Sequence, residues 1–135
     1  MALGQTIQDG VLNWLKGQAF PSPPAALYLG FHSDGLAAIE AEVSANLGGR
    51  ITVTGADFGN TRWLNNIDGG TRELVNSRAF VTGLADAQVQ VLSFALWSAV
   101  DGGFRYLRGT VNPVATVLAG DPAVFLQGDL SLRIS

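Results

Sequence analysis

The chain has one histidine, His32, followed directly by Ser33 and Asp34. These are the residue types of a serine-nucleophile triad. Their adjacency argues against that chemistry, because successive residues on a strand point to opposite faces and do not converge. The expected role of His32 is a strand-end histidine whose ring is satisfied by a backbone carbonyl. Glu40 and Glu42 are the only close carboxylate pair, the residue type that glycoside hydrolysis requires. On a strand they would share a face about 7 Å apart, yet no further residue orients them, and a solvated loop is the expected setting. Metal ligation lacks HxH or DxDxD spacing, and the chain has no cysteine. The Asp-Gly pairs at Asp9, Asp34, Asp68 and Asp101 read as turns. Gly48-Gly49-Arg50 precedes a β-branched run, whereas a phosphate-cradling loop precedes a helix. No cofactor, no metal and no enzymatic activity are therefore expected.

Chemistry of contact is better represented. Seven arginines and three tryptophans match the types enriched at protein interfaces. Arg62 beside Trp63, and Arg105 and Arg108 flanking Tyr106, are candidate anchors; the competing role is arginines stacked on their own domain's aromatics. The balance of 8 basic and 11 acidic residues gives −3. Phosphate neutralisation calls for the opposite sign, so nucleic acid is not an expected partner. No apolar run approaches the roughly 18 residues of a membrane span. The start, Met1-Ala2-Leu3-Gly4-Gln5, lacks the basic and apolar regions of a signal peptide, so a soluble product without membrane contact is expected.

The elements that must position these residues follow from periodicity. Leu3, Ile7, Val11, Trp14 and Leu15 recur at helical steps, predicting a helix from about Leu3 to Lys16, stopped by Gly17. Pro21, Pro23 and Pro24 then make a stiff connector, since each fixes φ and disfavours helix before it. The helix is expected to be held off at a set distance, as the edge of the domain's own core or as a docking element. From Ala25 the period changes to two, with Leu27, Leu29 and Phe31 on one face and Tyr28, Gly30 and His32 on the other. A long loop is expected over 36–49, a strand over 50–54, and a second long loop over 56–72 around Trp63. Further strands are predicted at 79–82, 89–100, 104–111, 114–118 and 124–134. Asp101-Gly102-Gly103 is the strongest hairpin signal. The final strand is read as one element with Val124, Leu126, Gly128, Leu130, Leu132 and Ile134 on one face. Seventeen glycines in 135 residues, well above the roughly 7% background, fit many tight turns. The expected fold is mainly β, an antiparallel β-sandwich (jelly-roll-like) with a short N-terminal α-helix, divided as residues 1–24 (helix and connector) and 25–135 (β-sandwich).

The order of features carries a resemblance: Ala26-Leu27-Tyr28-Leu29-Gly30-Phe31-His32, Glu42-Val43-Ser44, Gly49-Arg50, Leu96-Trp97, Asp101-Gly102-Gly103, Asn112-Pro113, Gly120-Asp121, Phe125 and Gly128-Asp129-Leu130-Ser131-Leu132. Over nearly its whole length the chain resembles small virion proteins of tailed bacteriophages, of the head decoration or minor tail type. It departs from them in Ser33-Asp34-Gly35, in lacking the tyrosine of their Gly-Gly-Tyr-Ala-Arg, and in a longer segment over 57–73. The resemblance implies a structural protein. The first expectation is a capsid decoration (cement) protein on the outer capsid surface, present in host cytoplasm during assembly. It would bind the major capsid protein across subunit junctions and stabilise the shell by binding only its assembled form. A homotrimer on local threefold axes is preferred. The expected contact residues are Ile7, Val11, Trp14, Pro21, Pro23 and Pro24, with Arg62 and Trp63 as loop anchors. The alternatives are a tail fibre, spike or baseplate component, and a glycan-binding module in which Trp63 and Tyr28 stack on sugars.

Overall fold

In a computed structural model the described residues are 3–34, 41–59, 62–63 and 71–134, with Arg62, Trp63 and Ile134 described by backbone alone. One helix, α1 (Gln5–Leu15), precedes β1 (Leu27–His32), β2 (Ile51–Val53), β3 (Arg62–Trp63), β4 (Arg72–Val75), β5 (Phe80–Leu84), β6 (Val89–Trp97), β7 (Arg105–Val117), β8 (Pro122–Phe125) and β9 (Leu130–Ile134). Seven strands form an antiparallel sheet in the order β2-β1-β6-β7-β9-β4-β3, and β5 pairs with β8 in a separate ribbon. The ribbon lies over one face of the large sheet, giving a lopsided β-sandwich with one short N-terminal helix.

Alternation selects the residues that fill the gap. On β1, Leu29 and Phe31 point inward; their β6 partners Leu96 and Phe94 do the same. The ribbon contributes Phe80 and Phe125. Phe31 stacks on Phe125 with ring centroids 5.0 Å apart, and Phe58 lies 6.2 Å from Phe94 and 6.4 Å from Phe80. These rings are the contact between the two layers.

Three expected boundaries move. The runs at 104–111 and 114–118 are a single strand, β7, which passes through Asn112-Pro113. Proline is tolerated there because the pairing slips: the step from Val91 to Ser93 on β6 faces the step from Thr110 to Ala115 on β7. Such a bulge leaves ladder positions unpaired. The expected last strand is instead two strands in different layers, β8 and β9. In β8 the buried residues are Ala123 and Phe125, while Val124 and Leu126 face out; in β9 Leu130 and Leu132 are buried. A turn at Gly128, with φ +89°, resets the parity between them. Buried Asn76 holds that turn. Its amide donates to the carbonyls of Arg78 and Leu126, and its side-chain oxygen accepts from the backbone N–H of Gly128 and Leu130.

The segment read as a long loop over 56–72 contains β3, which pairs with β4, and β4 in turn pairs with β9. It therefore extends the sheet edge. The hairpin after β6 is as expected, with Gly102 and Gly103 at φ +63° and +72° and Ser98 N–H bonded to the Phe104 carbonyl.

Candidate interaction surface

α1 rests on the middle of the large sheet at its first turn only. Gly4 N–H donates to the Tyr106 carbonyl, and Leu3 bridges Leu107 of β7. A Cβ on Gly4 would collide with the Arg105 carbonyl, so this close approach requires glycine. Beyond that turn the apolar stripe leaves the sheet. Leu3 and Ile7 are half-buried, whereas Val11, Leu12, Trp14 and Leu15 are exposed, Trp14 by 57% and Leu15 by 69%. The connector does not hold the helix at a distance: Pro21 folds back onto it, 3.0 Å from where a Cβ on Gly10 would stand.

Helix, connector and hairpin enclose a largely apolar groove of about 360 Å³, lined by Thr6, Ile7, Phe20, Pro21, Ser22, Pro23, Pro24, Phe104 and Tyr106. Phe104 and Tyr106 meet edge to face at 4.9 Å. The structure thus brings together Ile7, Pro21, Pro23 and Pro24, and adds Phe20, Phe104 and Tyr106. Phe104 follows the Gly102-Gly103 turn, a placement that signals a presented aromatic. Val11 and Trp14 continue the same helix outward. Arg62 and Trp63 lie elsewhere, on β3 at the sheet edge, three strand places from β7; their side chains lie outside the described residues.

A polar clamp stands beside this surface, on the sheet face opposite the phenylalanine core. Arg50 grips Glu42 bidentately, Nε to Oε2 and Nη2 to Oε1, both at 2.8 Å. Its Nη1 donates to the carbonyls of Ala99 and Gly102, and its guanidinium lies 4.0 Å from the Trp97 ring centre. One side chain therefore ties the segment after β1 to the β6–β7 hairpin. Trp97 and Phe104 in turn border a cleft of about 250 Å³ with Gly4, Gln5 and Thr6 of the helix start. Gly30 permits this packing, since a Cβ there would stand 2.7 Å from Glu42 Oε2 and 2.8 Å from Trp97 Nε1. Burial pushes the Glu42 pKa up, but the bonds from Arg50 and Ser44 and the Arg50 charge hold it below the ordinary carboxylate value.

His32 departs from expectation. It is buried on this polar face, opposite Ser93 on β6, and neither ring nitrogen has a hydrogen-bond partner. Its ring stacks on Trp97 at 6.1 Å, and Nδ1 lies 3.8 Å from Asp34 Oδ1, beyond hydrogen-bond range. Burial and then the Arg108 charge lower its pKa, outweighing Glu42 and Asp34. Arg108, a candidate anchor by sequence, is buried as well, donating to Asp34 Oδ1 at 3.2 Å and to Ser93 Oγ at 2.7 Å. Strand alternation explains both, because Arg108 stands opposite Ala95 on the same face as Ser93. Ser33 points away and bonds the Ala41 carbonyl. Glu40, the other half of the carboxylate pair, lies outside the described residues. Tyr28 on β1 and Trp63 on β3 are five strand places apart, about 24 Å at the usual spacing, too far to form one stacking platform. Among the described residues no group of three or more metal-ligating side chains occurs, and no helix is long and apolar enough to cross a membrane.

The family comparison covers nearly the whole chain. The family model described as "Podophage GP4 fiber I protein gp80" matches residues 2–133. No curated protein matches the chain. With all but the extreme ends matched, the chain belongs to the podophage GP4 fiber I protein gp80 family and is a structural protein of the tailed-phage virion.

Proposed function

We propose that the chain is a non-enzymatic component of the phage tail fibre apparatus, joined to another virion protein through the outer part of α1 and the groove beneath it. The observation that carries this reading is the bare stripe of α1. An 11-residue helix falls below the roughly 12–15 residues at which isolated helices become even marginal in water. The sheet covers only its first turn, and the connector adds Pro21 over Gly10. Val11, Trp14 and Leu15 gain their burial when a neighbouring protein supplies the opposing apolar wall. The family's name supports the fibre setting over the head-decoration setting, which shares the same contact residues and takes the major capsid protein as partner.

Copy number separates the two settings. Quantitative mass spectrometry of purified particles is expected to find this chain as a small minority relative to the major capsid protein. Near-stoichiometric abundance would return the role to shell decoration. Particles assembled with Trp14→Ser and Leu15→Ser together are expected to lose the chain, although the purified variant keeps its β-sheet circular dichroism. Retained incorporation would remove α1 from the contact.

A further inference from the structure

We infer that the outward face of the β5–β8 ribbon packs against the same face of another copy of this chain. Both faces of this ribbon are apolar. Phe80, Ala123 and Phe125 are buried against the large sheet, while Val81 and Val124, paired directly across the ribbon, point away and are 60% and 50% exposed. Leu84 and Leu126 are also exposed by more than half. A strand that is apolar on both faces has the pattern of one covered on both, and the covering layer is missing from a single chain.

Charge chooses the occupant. Residues 79–84 and 122–128 include no ionisable side chain. Such a face meets its own copy without like-charge repulsion, as symmetric association requires. It also lacks the charges by which separately folded partners steer and discriminate. Apolar, charge-poor surface is the mark of permanent homomeric interfaces, which resemble a domain core cut in half. The ribbon's strands lack the lysines and inward charges that usually keep exposed edges apart, so solubility as a monomer is not guarded here. The α1 surface differs in carrying Asp9, Asn13 and Lys16 among its apolar residues.

This inference does not depend on the fibre setting, and its test needs no phage particles. Sedimentation equilibrium of the purified full chain at tens of micromolar is expected to give a multiple of the 14.1 kDa chain mass. Val81→Glu is expected to give 14.1 kDa with unchanged circular dichroism. The milder Val124→Thr, compatible with a strand, is expected to weaken association at least tenfold, which keeps the test open if the charged variant does not fold. Leu12→Glu on the helix is expected to leave the mass unchanged. A monomeric native chain would overturn the inference, whether or not particles bury the ribbon against a different protein. So would a Val81→Glu variant that keeps the native mass.

Discussion

The two faces of the seven-stranded sheet are built on different chemistry. Toward the ribbon, Phe31, Phe94 and Phe58 meet Phe80 and Phe125, with Leu29, Leu96, Leu130 and Leu132 around them. Toward α1 and the loops, His32, Ser93, Arg108, Glu73 and Ser131 are buried; from connecting segments Asp34 accepts from Arg108 and Ser93, and Glu42, bridged to His32, is held by Arg50. The apolar face is cohesive without being directional. On the polar face the charged side chains stand in pairs, because an unpaired buried charge costs more than a well-made pair returns. The first face therefore supplies stability, and the second fixes where the loops and the helix start stand. Of the two faces, the second is the one that carries acid sensitivity, through His32 and Glu42.

The sharpest way to separate the faces is truncation on the apolar side. Phe31→Ala or Phe125→Ala removes one half of the inter-layer stack and is expected to cost about 3–5 kcal/mol in urea unfolding. A loss below 1 kcal/mol would mean that the ribbon is not the principal lid of the core. Next in size is Arg50→Ala, which leaves the Glu42 carboxylate with Ser44 Oγ as its remaining side-chain donor and takes the Arg50 donor from two carbonyls. The Glu42 side chain is 27% exposed, so water recovers part of the loss, and about 2 kcal/mol is expected, below the 3–5 kcal/mol of fully buried pairs. Arg50→Met with Glu42→Leu is expected to cost less than Arg50→Ala alone. A double variant worse than the single would show that the pair is a net source of stability.

A smaller effect comes from pH. His32 has a lowered pKa in the fold, so below its ordinary value of about 6.5 the unfolded chain takes up a proton that the folded chain refuses. Its contribution is complete above that value and is lost as pH falls toward the folded pKa. Glu42, also lowered, loses its contribution further down, from its ordinary value near 4.3 through its folded one. Urea midpoints measured from pH 7 to pH 5 are expected to fall for the native chain and to stay flatter in His32→Gln. Parallel slopes would remove His32 as the source. The smallest change is expected from Arg78→Ala, which breaks a surface pair with Asp57, 2.7 Å from Nε to Oδ1. Asp57→Ala should lower the melting temperature more, because the same carboxylate accepts from Thr54 N–H and caps the short 3₁₀ turn that follows.

Much of the fold is legible in the order of turns and alternations. The Asp101-Gly102-Gly103 hairpin, the inward set of β1 and the helix after Leu3 follow from local rules that the tertiary structure does not overrule. The errors arise where the pattern is locally silent. From Val124 to Ile134 alternation continues through the turn at Gly128, so one period conceals two strands of opposite parity. Arg72 and Glu73 leave β4 without a strand signal, because a strand facing a polar buried layer lacks the apolar alternation that marks one facing a core. The groove beneath α1 is partly legible. Ile7, Pro21, Pro23 and Pro24 line the groove, but Phe20, Phe104 and Tyr106 join it only because the chain folds back, which no spacing encodes. The Arg50–Glu42–Trp97 clamp joins residues up to 55 positions apart and has no motif.

The most direct test of a fibre-type role is the position of the chain on intact particles. Purified virions decorated with Fab fragments raised against the chain, imaged by electron cryomicroscopy, are expected to carry density on the tail and none over the shell. Fab density repeated across the capsid lattice would contradict the fibre assignment and establish the chain as a head decoration.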